Sequence, residues 1–130
     1  MNGCVKPRTI WKAVINRMIH VYLDDYRRCP DGFVPARSAE ECIMLIDSEP
    51  IDVLSLDYDL GQGQPNGLEV VRHIVAHQRY PQHIFFHTSS PAGRMQMYQL
   101  LANHAPPEVK LYNGPMPHEK LESIASRGHL

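Results

Sequence analysis

Short apolar runs alternate with segments of helical periodicity, and this alternation constrains the fold more than any other feature of the chain. The apolar runs have the length of strands and lie at residues 19–23, 33–36, 51–56, 83–87 and 109–112. A helical pattern lies between most of them, as at 67–77. Strands that alternate with helices pair in parallel through right-handed crossovers. We therefore predict a single α/β domain with an open, doubly wound, parallel sheet of five strands.

Helix boundaries carry local signals. Ser38 is predicted to cap a helix, with Glu41 three residues later completing a capping box. Ser90 followed by Pro91 is typical of another helix start, because proline at the first helical position needs no N–H partner. A final helix is expected over residues 118–126.

The composition indicates one globular domain. The chain has 130 residues, of which 43% are hydrophobic and 21% charged. Its formal net charge of -1 provides no global field for nucleic acid or acidic membranes, and no apolar run is long enough to span a membrane. Three cysteines without CxxC spacing predict reduced thiols and a cytoplasmic protein.

Residues 1–17 differ from the rest. They carry four basic residues and no acid, and they lack the apolar centre of a signal peptide. One interpretation is a basic arm that contacts RNA or a partner. The other is an upstream extension without a fixed structure, because Met18 stands directly before the first predicted strand. The second interpretation is favoured, with the α/β domain at 18–130.

Acidic residues follow two of the predicted strands. Asp24 and Asp25 follow the first run, and Asp57 and Asp59 follow the run at 51–56. In open α/β sheets the site lies outside the carboxyl ends of the strands, so these acids are expected in one crevice. Paired carboxylates raise one another's pKa unless a cation neutralises them. The four acids therefore predict a site for Mg²⁺ or Mn²⁺, although strand-end aspartates can also simply cap loops in solvent.

The segment HTSSPAGR, residues 87–94, has the features of a phosphate site. A helix start offers free backbone N–H groups and a favourable dipole to an anion, and an arginine adds a planar fork. The predicted phosphate-binding residues are Thr88, Ser89, Ser90, Gly93 and Arg94.

His87 closes an apolar run, where a histidine is often a satisfied core residue. Because it is predicted at the same edge as the acids, it is also a candidate general acid or base. Asp57 is the second candidate catalytic residue, either as a metal ligand or as a nucleophile. The residues alone do not choose between these two roles.

Several motifs together resemble a known family. LDDYRRCPDGF, SLDYDLG, NGLEVV and HTSSPAGR are similar to motifs of the cyclic-phosphate processing receiver-like family, a divergent relative of the receiver domains of response regulators. The resemblance covers about residues 19–98. It implies a flavodoxin-like receiver fold and an activity on cyclic phosphate ends in RNA repair or nucleotide metabolism. Ser90 stands where an asparagine is expected in that family.

In response-regulator receivers the resemblance would make Asp57 the phosphoacceptor, Asp24 and Asp25 the Mg²⁺ ligands, and Thr88 or Ser89 the switch hydroxyl. Two departures weigh against phosphotransfer. The lysine expected before the proline after the last strand is replaced by Asn113 or Gly114, and Lys110 comes too early. The spacing between the acidic motifs also leaves no room for a first helix, which is predicted to be reduced to the loop 26–33.

Two functions remain at this stage. The first is a metal-dependent phosphoesterase that opens a cyclic phosphate on a nucleotide, an RNA end or a sugar. The second is a signalling or nucleotide-sensing module without turnover.

Overall fold

The computed structural model describes residues 17–127. Nine elements follow one another along the chain: β1 (Ile19–Leu23), β2 (Val34–Ala36), α1 (Ala39–Ser48), β3 (Ile51–Leu56), α2 (Gly67–His77), β4 (His83–Phe86), α3 (Pro91–His104), β5 (Lys110–Leu111) and α4 (His118–Arg127). The predicted strands and helices are confirmed, and the predicted bounds are correct to within one residue.

All five strands are parallel and form one sheet in the order β2-β1-β3-β4-β5. This is the doubly wound arrangement that was predicted. The chain moves outward from β1 to β2 and then returns to β3 on the other side of β1. The carboxyl ends of β1 and β3 therefore flank the point where the winding direction changes, which is the usual place for a binding crevice.

The sheet is covered unequally on its two faces. The larger core cluster contains buried residues of α1, α2 and α3, such as Cys42, Ile74 and Met97. The smaller cluster, on the α4 side, is formed by Tyr22, Phe33, Val53, Phe85, Met116 and Ile124. Between β1 and β2 the described chain has turns and bends but no helix, so the prediction of a loop at 26–33 is confirmed.

Side-chain caps start three of the helices. The Ser38 hydroxyl accepts from the Glu41 N–H at 3.1 Å, as the capping box predicts, but the Glu41 carboxylate accepts from the N–H of Arg37 at 2.6 Å, one residue earlier than expected. Asn66 and Ser90 cap α2 and α3 in the same way. These caps fix where each helix leaves the loop at the carboxyl edge of the sheet.

Among the described residues, no helix is long and apolar enough to cross a membrane. Cys42 is a buried free thiol whose burial raises its pKa to about 12, and Cys29 is a partly buried free thiol. Cys4 and the proposed extension at 1–17, apart from Arg17, lie outside the described residues.

Candidate functional site

Three residues directly after parallel strands converge at the carboxyl edge of the sheet. Asp24 follows β1, Asp57 follows β3 and His87 follows β4. Their backbones continue the ladder beyond the strands: the Asp57 N–H donates to the Leu23 carbonyl at 3.1 Å, and the His87 N–H donates to the Leu56 carbonyl at 3.0 Å. One ligand atom from each of the three side chains lies within 4.8 Å of the others. The sheet itself therefore brings the three groups together.

Asp24 is fully buried and is held by four donors. Its Oδ1 atom accepts from the backbone N–H of Tyr26 at 2.9 Å and of Arg27 at 2.8 Å, and its Oδ2 atom lies 2.8 Å from Arg27 Nη1 and 2.9 Å from His87 Nε2. Burial alone would raise the pKa of Asp24, but the hydrogen bonds from Arg27, Tyr26 and His87 outweigh it and lower the pKa to about 2. Asp24 is therefore an anion at neutral pH.

Arg27 joins the two buried carboxylates. Its Nη1 atom lies 2.8 Å from Asp24 Oδ2 and 3.3 Å from Asp57 Oδ2, and these contacts raise the pKa of the guanidinium. The loop that carries Arg27 is fixed in turn by Arg37, whose Nη1 donates to the carbonyls of Asp24 at 3.0 Å and Arg27 at 2.6 Å. The chain thus supplies its own cation between the acids.

Asp57 lies in a different electrostatic environment from Asp24. Burial raises its pKa, and the nearby charge of Asp24 acts in the same direction. Hydrogen bonds from the Thr88 hydroxyl and the Tyr58 N–H, together with Arg27, oppose the rise without cancelling it. Asp57 is therefore the more basic carboxylate of the pair, which suits a group that accepts a proton or attacks phosphorus.

His87 is a partly buried residue whose side chain is 8% exposed, and both of its ring nitrogens have partners. Nε2 lies 2.9 Å from Asp24 Oδ2, Nδ1 lies 2.7 Å from Ser55 Oγ, and the ring stacks on Tyr22 with centroids 4.2 Å apart. Burial lowers the pKa of His87, so the ring is neutral at pH 7. Because an ionised carboxylate only accepts, the single ring proton belongs on Nε2, and the Ser55 hydroxyl donates to Nδ1.

The other two predicted metal ligands lie outside this group. Asp25 and Asp59 are exposed, and the carboxylate of Asp25 points toward the loop at Gly61. Among residues 17–127 the only cluster with metal-ligand spacing is Asp24, Asp57 and His87. The structure thus places two of the four predicted acids together and adds a histidine that was predicted for proton transfer.

The HTSSPAGR segment is used largely for local structure. Thr88 is buried and bonded to Asp57, and its Oγ1 atom also accepts from the Ser90 N–H at 3.1 Å. The Ser90 hydroxyl caps α3 by accepting from the Gly93 N–H at 3.0 Å. Gly93 is buried against the ring of Tyr58, where no side chain would fit. Ser89 is exposed and Arg94 is partly buried in the first turn of α3.

Two carboxylates and an imidazole are a suitable donor set for Mn²⁺, and the carboxylates also suit Mg²⁺. Arg27 provides one positive charge against two buried negative ones, so the group keeps a net negative charge. A divalent ion fits the two carboxylates on these grounds, and Asp24 and Asp57 are the residues that would hold it, whereas His87 could add a ligand through Nε2 only after losing the proton that it donates to Asp24. Since Arg27 Nη1 already lies against both carboxylates, such an ion would compete with the guanidinium for the same oxygens.

Sequence reasoning missed several contributors to the site. Arg27, Arg37, Ser55 and Tyr22 were not predicted. Ser55 carried a usable signal, because it is a polar residue inside an otherwise apolar strand and is 1% exposed. Arg27 carried a weaker signal: it lies three residues after Asp24, close enough along the chain for its side chain to reach that carboxylate. Arg37 acts on backbone carbonyls, and nothing in its local sequence marks that role.

Comparison with known proteins identifies the family. The family model of the cyclic-phosphate processing receiver domain matches residues 19–103, well over half of the chain. The chain belongs to this family. The matched segment contains Asp24, Asp57, His87 and Arg94, so it includes every group of the site described above.

Solved structures give more distant likenesses. A chain described as residues 181–211 of the trimeric coiled coil of yeast Spc42 fused to another structure shares 16% identity over 87% of this chain and 78% of that chain, with a TM-score of 0.55. The crystal structure of the response regulator domain of CheB from Thermotoga maritima shares 20% identity over 88% of this chain and 98% of that chain, with a TM-score of 0.48. At these identities the likeness concerns the fold alone. No curated protein matches the chain in sequence.

The departure from response regulators near the last strand has a structural counterpart in this family member. Lys110 pairs with His83 at the beginning of β4, at the opposite end of the sheet from Asp57. Asn113 is exposed, and the Gly114 carbonyl accepts from the Phe86 N–H at 2.9 Å. No described lysine therefore occupies the position that follows β5.

Proposed function

We propose that the chain is a phosphoesterase that opens cyclic phosphodiesters on nucleotides or RNA ends and that uses Mg²⁺ or Mn²⁺. The observation that supports it most directly is the convergence of two buried carboxylates, a buried imidazole and a guanidinium at one edge of the sheet. Such a group can neutralise, orient and exchange protons with a phosphate. Membership of a family named for cyclic-phosphate processing supports the choice of substrate class.

In the proposed reaction a water oxygen forms a bond to phosphorus while one ring P–O bond breaks. The water loses one proton, the released alkoxide gains one, and the product is a phosphate monoester. When bound, a divalent ion would neutralise charge on the phosphoryl oxygens. Within the chain, the more basic carboxylate of Asp57 accepts the proton of water, or attacks phosphorus itself in a two-step variant.

Arg27 and Arg94 are the proposed anion-binding groups. Arg27 lies against the two carboxylates, and an ion that took the same oxygens would free its N–H donors for the phosphate. Arg94 lies in the first turn of α3, where the helix dipole also favours an anion. His87 keeps the Asp24 carboxylate in place and holds a proton at Nε2 that can move to a nearby oxygen.

The test is a turnover assay on nucleoside 2′,3′-cyclic phosphates with Mg²⁺, with Mn²⁺ and with a chelator, read as release of nucleoside monophosphate. Wild type, Asp57→Asn and Asp24→Asn are compared, with the exposed Asp59→Asn as the matched control. Metal-dependent turnover that is lost in the first two variants and kept in the third supports the proposal. Absence of turnover on nucleotides, RNA ends and sugar cyclic phosphates would reject it.

A second candidate is a receiver that accepts a phosphoryl group on Asp57. The hydrogen bond between the Thr88 hydroxyl and Asp57 favours it, because a hydroxyl beside the acceptor aspartate is what a receiver switch requires. Incubation with acetyl phosphate and Mg²⁺, followed by intact mass measurement, tests it. A mass gain of one phosphoryl group that disappears in Asp57→Asn would favour this function over hydrolysis.

A further inference from the structure

An exposed aromatic residue lies in the loop that follows β1, where its backbone N–H bonds Asp24. Tyr26 follows Asp24 by two positions and is 87% exposed, more than any other large hydrophobic residue described. Tyrosine rings usually cover much of their surface against the protein, so a ring left this open has no structural role that explains it. The neighbouring loop has no helix that could cover it.

The backbone beneath this ring is held firmly. The Tyr26 N–H donates to Asp24 Oδ1 at 2.9 Å, and the guanidinium of Arg37 bonds the carbonyls of Asp24 and Arg27 on either side of it. The point from which the ring projects is therefore fixed relative to the buried carboxylates. Because a tyrosine side chain has only two rotatable bonds, it loses little conformational entropy when a flat ligand stacks on it.

Two arginines follow Tyr26 directly in the chain, and one exposed acid, Asp25, precedes it. Arg27 lies on the carboxylates at the inner side of the loop, and Arg28 extends into solvent with 89% of its side chain exposed. The nearest carboxylate to Arg28 is Asp31 at 3.9 Å, also exposed, so this ion pair is weak and leaves the guanidinium available. Sites for single-stranded nucleic acid combine aromatic side chains that stack on bases with basic groups that bind the backbone, and the segment Tyr26–Arg28 carries both kinds of residue.

We propose that Tyr26 is a stacking platform for the nucleobase of the substrate. The inference rests on the proposed function for the phosphate site and narrows its substrate class. The ligand would be a cyclic phosphate that carries a base, either a free nucleotide or the terminal nucleotide of an RNA, rather than a sugar cyclic phosphate without one.

The experiment measures binding in the presence of a chelator, so that turnover does not interfere. Calorimetry compares adenosine 2′,3′-cyclic phosphate with methyl riboside 2,3-cyclic phosphate, which lacks the base. The proteins are wild type, Tyr26→Ala and Tyr26→Phe, with Met44→Ala on α1 as a control for loss of an exposed apolar side chain. An oligoribonucleotide that ends in a 2′,3′-cyclic phosphate is the third ligand.

We expect wild type to bind the nucleotide more tightly than the riboside. Tyr26→Ala should weaken nucleotide binding by roughly 5- to 150-fold, the range for loss of one base–aromatic stack, and leave the riboside unchanged. Tyr26→Phe and Met44→Ala should bind like wild type. Equal binding of nucleotide and riboside by wild type, or equal losses for both in Tyr26→Ala, would overturn the platform while leaving the phosphate site intact.

The oligoribonucleotide distinguishes the two possible substrates, a free nucleotide and the terminal nucleotide of an RNA. Tighter binding of the oligonucleotide than of the mononucleotide indicates an RNA end, and equal binding indicates a free nucleotide; both support the platform if they depend on Tyr26. If no cyclic phosphate binds in chelator, the metal-dependent turnover assay decides the proposed function separately. The platform is then decided by an NMR titration with adenosine, in which ring-current shifts of the Tyr26 protons support it and their absence overturns it.

Discussion

The guanidinium of Arg27 lies 3.3 Å from the carboxylate of Asp57, thirty positions further along the chain. The same Nη1 atom lies 2.8 Å from Asp24, so one side chain neutralises part of the charge of both buried acids. This contact offsets part of the repulsion between two carboxylates that follow neighbouring apolar strands. It also means that a divalent cation and Arg27 are alternatives at the same oxygens.

Removal of the Arg27 side chain should therefore lower the stability of the protein without a divalent cation and raise its affinity for one. Without metal, Arg27→Ala leaves two buried carboxylates facing each other, and we expect a loss of about 1–2 kcal/mol in the free energy of unfolding, since the arginine is partly exposed and its interactions are screened. With Mn²⁺ the variant should recover stability and bind the ion more tightly than wild type. Urea unfolding with and without Mn²⁺ measures both effects.

Arg28→Ala is the matched control, because Arg28 is the adjacent arginine and its side chain is 89% exposed. It should change neither stability nor Mn²⁺ binding beyond a few tenths of a kcal/mol. Equal behaviour of the two variants would show that the guanidinium of Arg27 does not compensate the acids.

Neutralising Asp57 should stabilise the metal-free protein. The folded-state pKa of Asp57 is raised, mainly by burial, so its ionisation is less favourable in the folded chain than in the unfolded chain. The stability difference between Asp57→Asn and wild type should be absent below the unfolded pKa of about 3.8 and should grow as the pH rises through the folded pKa. We expect Asp57→Asn to raise Tm by a few degrees at pH 7, measured by thermal unfolding in chelator. A lower Tm for the variant at every pH would contradict this expectation.

Local periodicity was sufficient to predict the fold, and strand order then placed the main acids. The runs at 51–56 and 67–77 carry their own apolar patterns and caps, so their bounds depend on nearby residues. The contacts that each site side chain makes depend instead on residues far away in the sequence. That Arg27 lies against both acids follows from a loop whose path is set by Arg37, and this could not be predicted from the sequence pattern. The predicted role of Asp25 assumed that both acids of the pair face the crevice, and the loop turns Asp25 outward.

Gly67 is expected to tolerate no side chain, because α2 begins directly against the loop that carries Asp57. A Cβ atom at this position would overlap the backbone carbonyl of Asp57. Gly67→Ala should therefore cost about 1–3 kcal/mol and weaken any ligand bound at Asp57, since the backbone must shift to make room. Gly114→Ala is the control, because a Cβ there meets no atom within 4 Å. Urea unfolding of both variants checks the difference.

Acid should destabilise the protein through partly buried histidines whose neutral form is favoured in the folded chain. Burial lowers the pKa of His20 below 6.5, and its Nδ1 atom is buried without a hydrogen bond among the described residues. The charged groups that act on it are Asp52, which raises the pKa, and Arg127, Lys120 and His83, which lower it. Because the unfolded chain binds the proton first, stability should fall as the pH drops below about 6.5.

His20→Gln should reduce the loss of stability between pH 8 and pH 5.5. His104→Gln, on the exposed end of α3, should leave that loss unchanged. Urea midpoints at the two pH values give the comparison. If the wild-type midpoint does not change between the two pH values, or if both variants alter that change equally, His20 is not responsible.

His87 and Arg94 should affect different kinetic constants if the chain hydrolyses cyclic phosphates. His87 bonds Asp24 through Nε2 at 2.9 Å and is itself oriented by Ser55 at 2.7 Å. Its loss therefore removes a group that can transfer a proton and also disturbs the position of the Asp24 carboxylate. Removing a group that transfers protons typically costs about 10²–10⁴ in rate, and we expect His87→Ala to lower kcat within that range. Arg94→Ala removes a phosphate contact that acts equally on bound substrate and transition state, so it should raise KM with little change in kcat. Ser55→Ala separates the two roles of His87, because it removes the orienting hydroxyl and keeps the imidazole. A small fall in kcat with a shifted pH profile would indicate that Ser55 orients the ring. A fall as large as that of His87→Ala would show that the hydrogen bond from Ser55 is as necessary as the ring.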